Sequence, residues 1–268
     1  MPTLEHEGVK IHFEEEGQGD PVLLIMGLGC PGRLWRYQVP RLAERFRVIT
    51  FDNRGGGGSD KPADGYSIEA MADDAARLLS ALGVSRAHIA GLSMGGAIAQ
   101  RLAIDFPDVV RKLVLVGTWA KTQAFGRELL GAWRQIAEHC GMEVLTRLTM
   151  TQYLTPGCFD EKVEVVQMLR QAFLAEPQPV YGYIGQNLAC EAHSALAELG
   201  GIRAETLVVV GRRDGQTPVG AANELASNIP GAKLEILSGV GHGLVWEDPE
   251  SFNDLLSGFL TGSKKGDR

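Results

Sequence analysis

The sequence predicts an α/β fold, a doubly wound and mostly parallel sheet covered by helices, and three observations carry that prediction. Short runs rich in Val, Ile and Leu alternate with longer stretches of helical periodicity. Runs such as VLLIM, KLVLVG and TLVVVG are apolar at nearly every position, which requires cover on both sheet faces, since a half-exposed strand alternates apolar with polar. A chain of 268 residues, 44% of them hydrophobic, is long enough for one sizeable core, and α/β chains of this length commonly form one domain.

Taken in order, the segment 8–16 alternates Val9, Ile11 and Phe13 with Lys10, His12 and Glu14. That pattern predicts an antiparallel edge strand with His12 facing solvent. Apolar strands follow at 21–26, 47–51, 87–92, 112–117, 206–211 and 233–237. The clearest crossover helix covers 67–82, with Ser67 as its N-cap, apolar positions at helical spacing and a stop at Gly83.

Between 119 and 199 the strands give way to helical patterns such as RELLGAWRQIAEH, GMEVLTRLTM, DEKVEVVQMLRQAFLAE and PVYGYIGQNLACEAHSAL. The expected organisation is therefore a core formed by 1–118 and 200–268, with a helical cap inserted at 119–199. Such an insertion belongs at the C-terminal edge of the strands, where ligands bind in open α/β sheets. There is no internal repeat, and the tail after Leu260, TGSKKGDR, is expected to be loosely ordered.

The formal charge of -7 is spread without a long basic or acidic block, which leaves no electrostatic footprint for nucleic acid or an anionic membrane. The expected partner is a small-molecule substrate, with a homodimer as the assembly to test. The longest early apolar run, 22–26, is too short for a signal segment or a membrane span, so a cytoplasmic location is expected. Cys30, Cys140, Cys158 and Cys190 lack the CxxC spacing of a redox or zinc motif and are expected to be reduced thiols.

Gly91-Leu92-Ser93-Met94-Gly95 fits G-x-S-x-G, but a chain this rich in glycine produces such a string by chance roughly one time in six. Its setting is more informative: the apolar strand AHIAGL precedes it and a helical run from Met94 to Ile104 follows. A nucleophile elbow requires that setting, with flanking glycines making room for a strained serine. The competing explanation is a glycine-rich turn packed against the sheet; a dinucleotide-binding turn would need G-x-G-x-x-G, which GLSMGG does not supply.

Over nearly its whole length the chain resembles the α/β-hydrolase family, in GLSMGG and also in PVLLIMGLG, RVITFDNRGGGGSDKP, LVVVGRRDGQTPV and GVGHGLVWEDPESF. The resemblance implies a sheet of about eight strands and serine-hydrolase chemistry that needs no metal or organic cofactor. A serine hydroxyl needs a base that works near neutral pH, usually histidine. Of the histidines, only His242 lies in a glycine-flanked loop between the last strand and a closing helix, the place where the family's histidine sits.

The imidazole in turn needs a buried carboxylate, and the family's chain order is Ser, acid, His. Asp214, after TLVVVG in GRRDGQTP, fits that order; the alternative position after KLVLVG is followed by TWAKTQ, which has no carboxylate. An Asx turn before the helix near Pro218 is the competing role for Asp214.

The family pattern places the oxyanion-hole donors on the backbone amides of Leu28 and Met94. The chain departs from that pattern at Met26-Gly27, where relatives usually have His-Gly. Asp52, Asn53 and Arg54 resemble the family's D-x-R-G turn, with Arg54 as a structural anchor. Cys30 is read as a packing residue, since a reactive cysteine would have to occupy the elbow.

Trp119, Phe125, Trp133, Met142, Tyr153, Phe173, Tyr181 and Tyr183 supply enough apolar surface for a pocket. Trp119, just past KLVLVG, is the expected substrate contact. The resulting expectation is a serine hydrolase acting on a carboxylic ester or lactone. Carbon-carbon bond hydrolysis of vinylogous diketones, cofactor-free perhydrolysis and a ligand receptor built on the same fold remain alternatives.

Overall fold

The computed structural model describes residues 2–6, 8–175 and 178–262. Eight strands form one sheet: β1 (Thr3–His6), β2 (Val9–Glu16), β3 (Asp20–Ile25), β4 (Phe46–Phe51), β5 (Ala87–Leu92), β6 (Val110–Val116), β7 (Glu205–Gly211) and β8 (Lys233–Leu237). Their spatial order is β1-β2-β4-β3-β5-β6-β7-β8. From β4 to β8 every neighbouring pair is parallel, while β2 joins β1 and β4 antiparallel.

The helices are α1 (Val39–Ala43), α2 (Ile68–Ala81), α3 (Met94–Asp105), α4 (Ala124–Tyr153), α5 (Pro156–Glu161), α6 (Val163–Leu174), α7 (Val180–Ala192), α8 (Val219–Asn228), α9 (Leu244–Glu247) and α10 (Pro249–Thr261). The near-continuous apolar strands are explained by two buried clusters on opposite sheet faces. Leu23, Ile25, Ile89 and Leu113 point into one, with α2 and α3, while Val22, Leu24, Ala90 and Val114 point into the other, with α10.

Helix α2 begins where expected: the Ser67 side chain accepts from the Ala70 amide, and Gly83 follows in the left-handed region at φ 69°. The helical stretch between β6 and β7 comprises α4 to α7. Helix α4 is broken at Gly141, whose φ of 82° and ψ of 171° lie outside the helical range. Two expectations at the N-terminus are corrected. β2 is not the edge strand, because β1 pairs outside it.

His12 does not face solvent. It is buried, because the glycine-rich turn after β4 folds over it. The His12 amide donates to Ser59 Oγ at 2.9 Å, and the Asp52 amide donates to the His12 carbonyl at 3.0 Å. Gly58 passes so close that a Cβ there would lie 3.1 Å from the ring. At the other terminus, Thr261 still closes α10 and Gly262 caps it at φ 76°; the rest of the expected loose tail lies outside the described residues.

The same turn is held from below by Arg54, whose guanidinium makes two 2.7 Å bonds to the buried Asp74 carboxylate on α2. Removing one partner of a buried pair leaves an uncompensated charge, at a cost of about 3–5 kcal/mol. Arg54 is thus an anchor, as its position in the turn implied. All four cysteines are free, and Cys30, Cys158 and Cys190 are buried.

Candidate active site

Ser93 is the only non-glycine residue with positive φ among the described residues, at φ 56° and ψ -119°. Such a conformation stores on the order of 1–3 kcal/mol and persists only when the surroundings over-determine it. Here they do. The Ser93 amide donates to the Val116 carbonyl at the end of β6 (2.9 Å), and its carbonyl accepts from Thr118 Oγ1 (2.8 Å).

The flanking glycines are steric requirements. A Cβ on Gly91 would fall 2.1 Å from the Gly95 carbonyl oxygen, one on Gly95 would fall 2.1 Å from that of Ile25, and one on Gly96 would meet Thr118 at 2.6 Å. Only bare backbone lets α3 start this close to the ends of β3 and β5. This close approach brings Met94, at the first position of α3, beside the loop after β3. Gly27 in that loop passes so near that a Cβ there would lie 3.1 Å from Ser93 Cβ.

His242 and Asp214 meet at the ends of β7 and β8. His242 Nδ1 lies 2.8 Å from Asp214 Oδ2, with both side chains almost completely buried. An ionised carboxylate only accepts, so Nδ1 carries the proton and Nε2 is left as an acceptor. Asp214 Oδ2 also accepts from Thr217 Oγ1 (2.8 Å), and Oδ1 accepts the amides of Gln216 and Thr217 (2.8 and 2.9 Å). The Asx turn and the histidine contact therefore coexist, one on each oxygen.

Burial by itself would raise the Asp214 pKa, but the neighbouring His242 and the bonds from Thr217 outweigh it and hold the carboxyl below its ordinary value. The His242–Asp214 pair packs against the end of β6. A Cβ on Gly117 would lie 3.3 Å from both Asp214 Oδ2 and His242 Nδ1, one residue beyond the carbonyl that fixes Ser93.

Ser93 opens into a cavity of about 430 Å³ whose walls include Leu28, Trp119, Leu130, Trp133 and Tyr153. Trp119 is held there by its indole N–H, which donates to Thr122 Oγ1 at 2.7 Å. Phe125 joins the lining as well. Other aromatic candidates go elsewhere: Phe173 packs behind Tyr153, Tyr181 is exposed and Tyr183 lies against Gly29. Tyr153 also stacks on the His242 ring, centroids 5.7 Å apart.

Cys30 is buried, and burial raises its thiol to about 12, which suits packing and not nucleophilic attack. Among the described residues, no group of three or more His, Cys, Asp or Glu could hold a metal ion, and no helix is long and apolar enough to cross a membrane.

Besides Thr217, two residues that hold this region received no role from the sequence. The buried Glu247 carboxylate accepts the Gly241 amide (2.8 Å), next to His242, and the Thr155 amide (2.9 Å). It lies within the matching stretch GVGHGLVWEDPESF. Gln186 is a polar residue on the buried side of α7 and bonds the loop after β3. Its only sequence signal is an amide interrupting an apolar helical face.

His193 sits edge-on to Trp119, ring centroids 6.0 Å apart, with Nε2 buried and unpartnered. Burial lowers its pKa to about 4, against about 6.5 in an unfolded chain. The unfolded state thus takes up the proton first, so stability falls as pH drops from about 6.5 to about 4, by about 3 kcal/mol in full. The drop in urea midpoint between about pH 7 and about pH 4.5 should shrink in His193→Leu; an undiminished drop would contradict this.

A model of the alpha/beta hydrolase fold matches residues 20–249, and the chain belongs to that family. It is 32% identical over 262 residues to the "Putative carbamate hydrolase RutD" of Azorhizobium caulinodans, covering 97% of this chain and 98% of that protein. Among solved structures, the enol-lactonase from Burkholderia xenovorans LB400 superposes with a TM-score of 0.92 at 28% identity, covering 97% of this chain and 100% of that one. Est816, an N-acyl homoserine lactone degrading enzyme, superposes at 0.85 with 33% identity, covering 96% and 100%.

Proposed function

We propose that the protein is a serine hydrolase that cleaves a carboxylic ester or lactone of a small, largely apolar substrate through an acyl-enzyme. Ser93 Oγ attacks the carbonyl carbon while His242 Nε2 takes its proton. The carbonyl electron pair moves onto oxygen, where the Leu28 and Met94 amides receive it, each donor worth about 3 kcal/mol in the transition state. Collapse expels the alcohol, which takes the proton from His242, and water then repeats the attack under the same base. Asp214 holds the imidazole in the productive tautomer, and Trp119 forms part of the wall facing the substrate.

The observation that carries this reading is the strained Ser93, open to an apolar cavity and fixed by the Val116 carbonyl at the end of β6, with the His242–Asp214 pair packed against the next residue, Gly117. Helices α4 to α7 act as the cap, supplying Trp133 and Tyr153 to the lining and excluding water from the reacting carbonyl. Similarity to a lactonase and to an N-acyl homoserine lactone degrading enzyme supports the substrate class. A carbamate is the second reading, favoured by the similarity to a carbamate hydrolase; the attack would be the same, but the apolar lining favours a hydrocarbon acyl chain.

The test is a panel of p-nitrophenyl esters of increasing acyl length, γ-lactones, an aryl carbamate and a vinylogous diketone. Each methylene buried in the cavity contributes about 0.8 kcal/mol, so kcat/KM should rise about fourfold per added carbon until the cavity fills. Preference for the carbamate or the diketone over every ester and lactone would overturn the assignment.

A further inference from the structure

We propose that Gln186 is a positioning residue for the oxyanion hole, tying α7 to the loop that carries the Leu28 amide. This inference rests on the hydrolytic reading of Ser93. Gln186 is 2% exposed. Its Oε1 accepts the Gly29 amide at 3.0 Å and its Nε2 donates to the Arg54 carbonyl at 2.8 Å. An N–H on one side and a carbonyl on the other permit only one orientation of the side-chain amide.

The loop needs such a fastening. Gly27 and Gly29 flank Leu28, and Gly29 sits at φ 71°, so the segment has unusual backbone freedom to lose. Met26 has no polar side-chain group with which to restrict it. Instead, Asn53 Nδ2 donates to the Met26 carbonyl at 3.1 Å, which fixes the peptide plane between residues 26 and 27. Gln186 fixes the plane between residues 28 and 29 through the Gly29 amide. The peptide that bears the Leu28 N–H lies between these two held planes, so its direction is set from both sides.

Preorganised donors act on the oxyanion of the transition state more than on the ground-state carbonyl. Loosening the loop should therefore weaken ligands that form an oxyanion and spare those that do not. Hexyl trifluoromethyl ketone forms one: Ser93 Oγ bonds to the carbonyl carbon, the π pair moves to oxygen and the serine proton passes to His242. Hexyl methyl ketone has the same chain but little tendency to add serine.

Gln186→Met keeps the side-chain length and removes both hydrogen bonds. It should lower kcat for p-nitrophenyl hexanoate about tenfold with little change in KM, less than the roughly 10²–10³ lost when an oxyanion donor is deleted outright. Affinity for the trifluoromethyl ketone should fall by the same factor while that for the methyl ketone stays level. Gln186→Glu retains an acceptor for the Gly29 amide and should recover most of the loss.

Equal weakening of both ketones in Gln186→Met would overturn the proposal, as would a kcat loss without loss of trifluoromethyl ketone affinity. If Gln186→Met does not fold, Gln186→Glu carries the test, because a tenfold loss of trifluoromethyl ketone affinity in that variant would assign the effect to the Arg54 contact and overturn the proposal. A wild-type protein that binds the two ketones equally would overturn the Ser93 reading and this inference together, whereas discrimination in wild type with an unaltered Gln186→Met would overturn this inference alone.

Discussion

Ser93→Ala is expected to reduce kcat for p-nitrophenyl hexanoate by on the order of 10⁶, to the level that binding and the oxyanion donors sustain alone. The reason is chemical and local. Every later step passes through a bond to Ser93 Oγ, and the buried Cys30 cannot substitute, because burial holds its thiol protonated. Alanine can occupy the same backbone conformation, and the bonds that fix residue 93 run through its own amide and carbonyl, to Val116 and Thr118. The fold should therefore be retained, with far-UV circular dichroism unchanged. Turnover within tenfold of wild type would contradict the mechanism.

Asp214→Asn should lose on the order of 10⁴ in kcat while leaving KM nearly unchanged. The local hydrogen bonds determine which way the new amide faces. Oδ1 accepts two backbone amides, from Gln216 and Thr217, so in the variant the side-chain carbonyl must remain on that side. The NH2 then faces His242 Nδ1, where a carboxylate oxygen stood. A donor there forces the imidazole to accept at Nδ1 and to carry its proton on Nε2, the nitrogen that must be free to take the serine proton. A loss of only a few fold would mean that another group sets the tautomer.

The central strands β3 to β7 were legible because they are buried on both faces over most of their length, and a run such as TLVVVG has no other stable home in an α/β chain. The elbow was legible from its glycines, since Gly91 and Gly95 are required by close backbone approaches and Gly96 by the Thr118 side chain. Asp214 and His242 could be placed because they follow recognisable strands and fit the order of a family the chain resembles. His12 was misplaced for a physical reason: alternation along β2 reports which face a side chain occupies, but not that a turn more than forty residues away will cover that face.

Thr217, Glu247 and Gln186 received no role for a related reason. Each meets a group contributed by another segment: Thr217 the His242 ring, Glu247 the Thr155 amide and Gln186 the Gly29 amide. Such partners are defined by where segments meet, and neither periodicity nor motif spacing encodes that. Among the aromatics of 119–199, the sequence could count apolar area but not direction. Trp133 and Tyr153 face the cavity while Tyr181 faces solvent, because the break at Gly141 and the packing of α4 on α7 decide which side of each helix is inward.

The central claim is that Ser93 is the nucleophile, and the most direct test is the mass of the protein after reaction with an alkyl organophosphonate, followed by peptide mapping. The predicted result is a single adduct on the peptide carrying Ser93, formed in step with loss of hydrolysis and absent in Ser93→Ala. An adduct on any other residue, or full hydrolysis by protein whose Ser93 is completely modified, would contradict it.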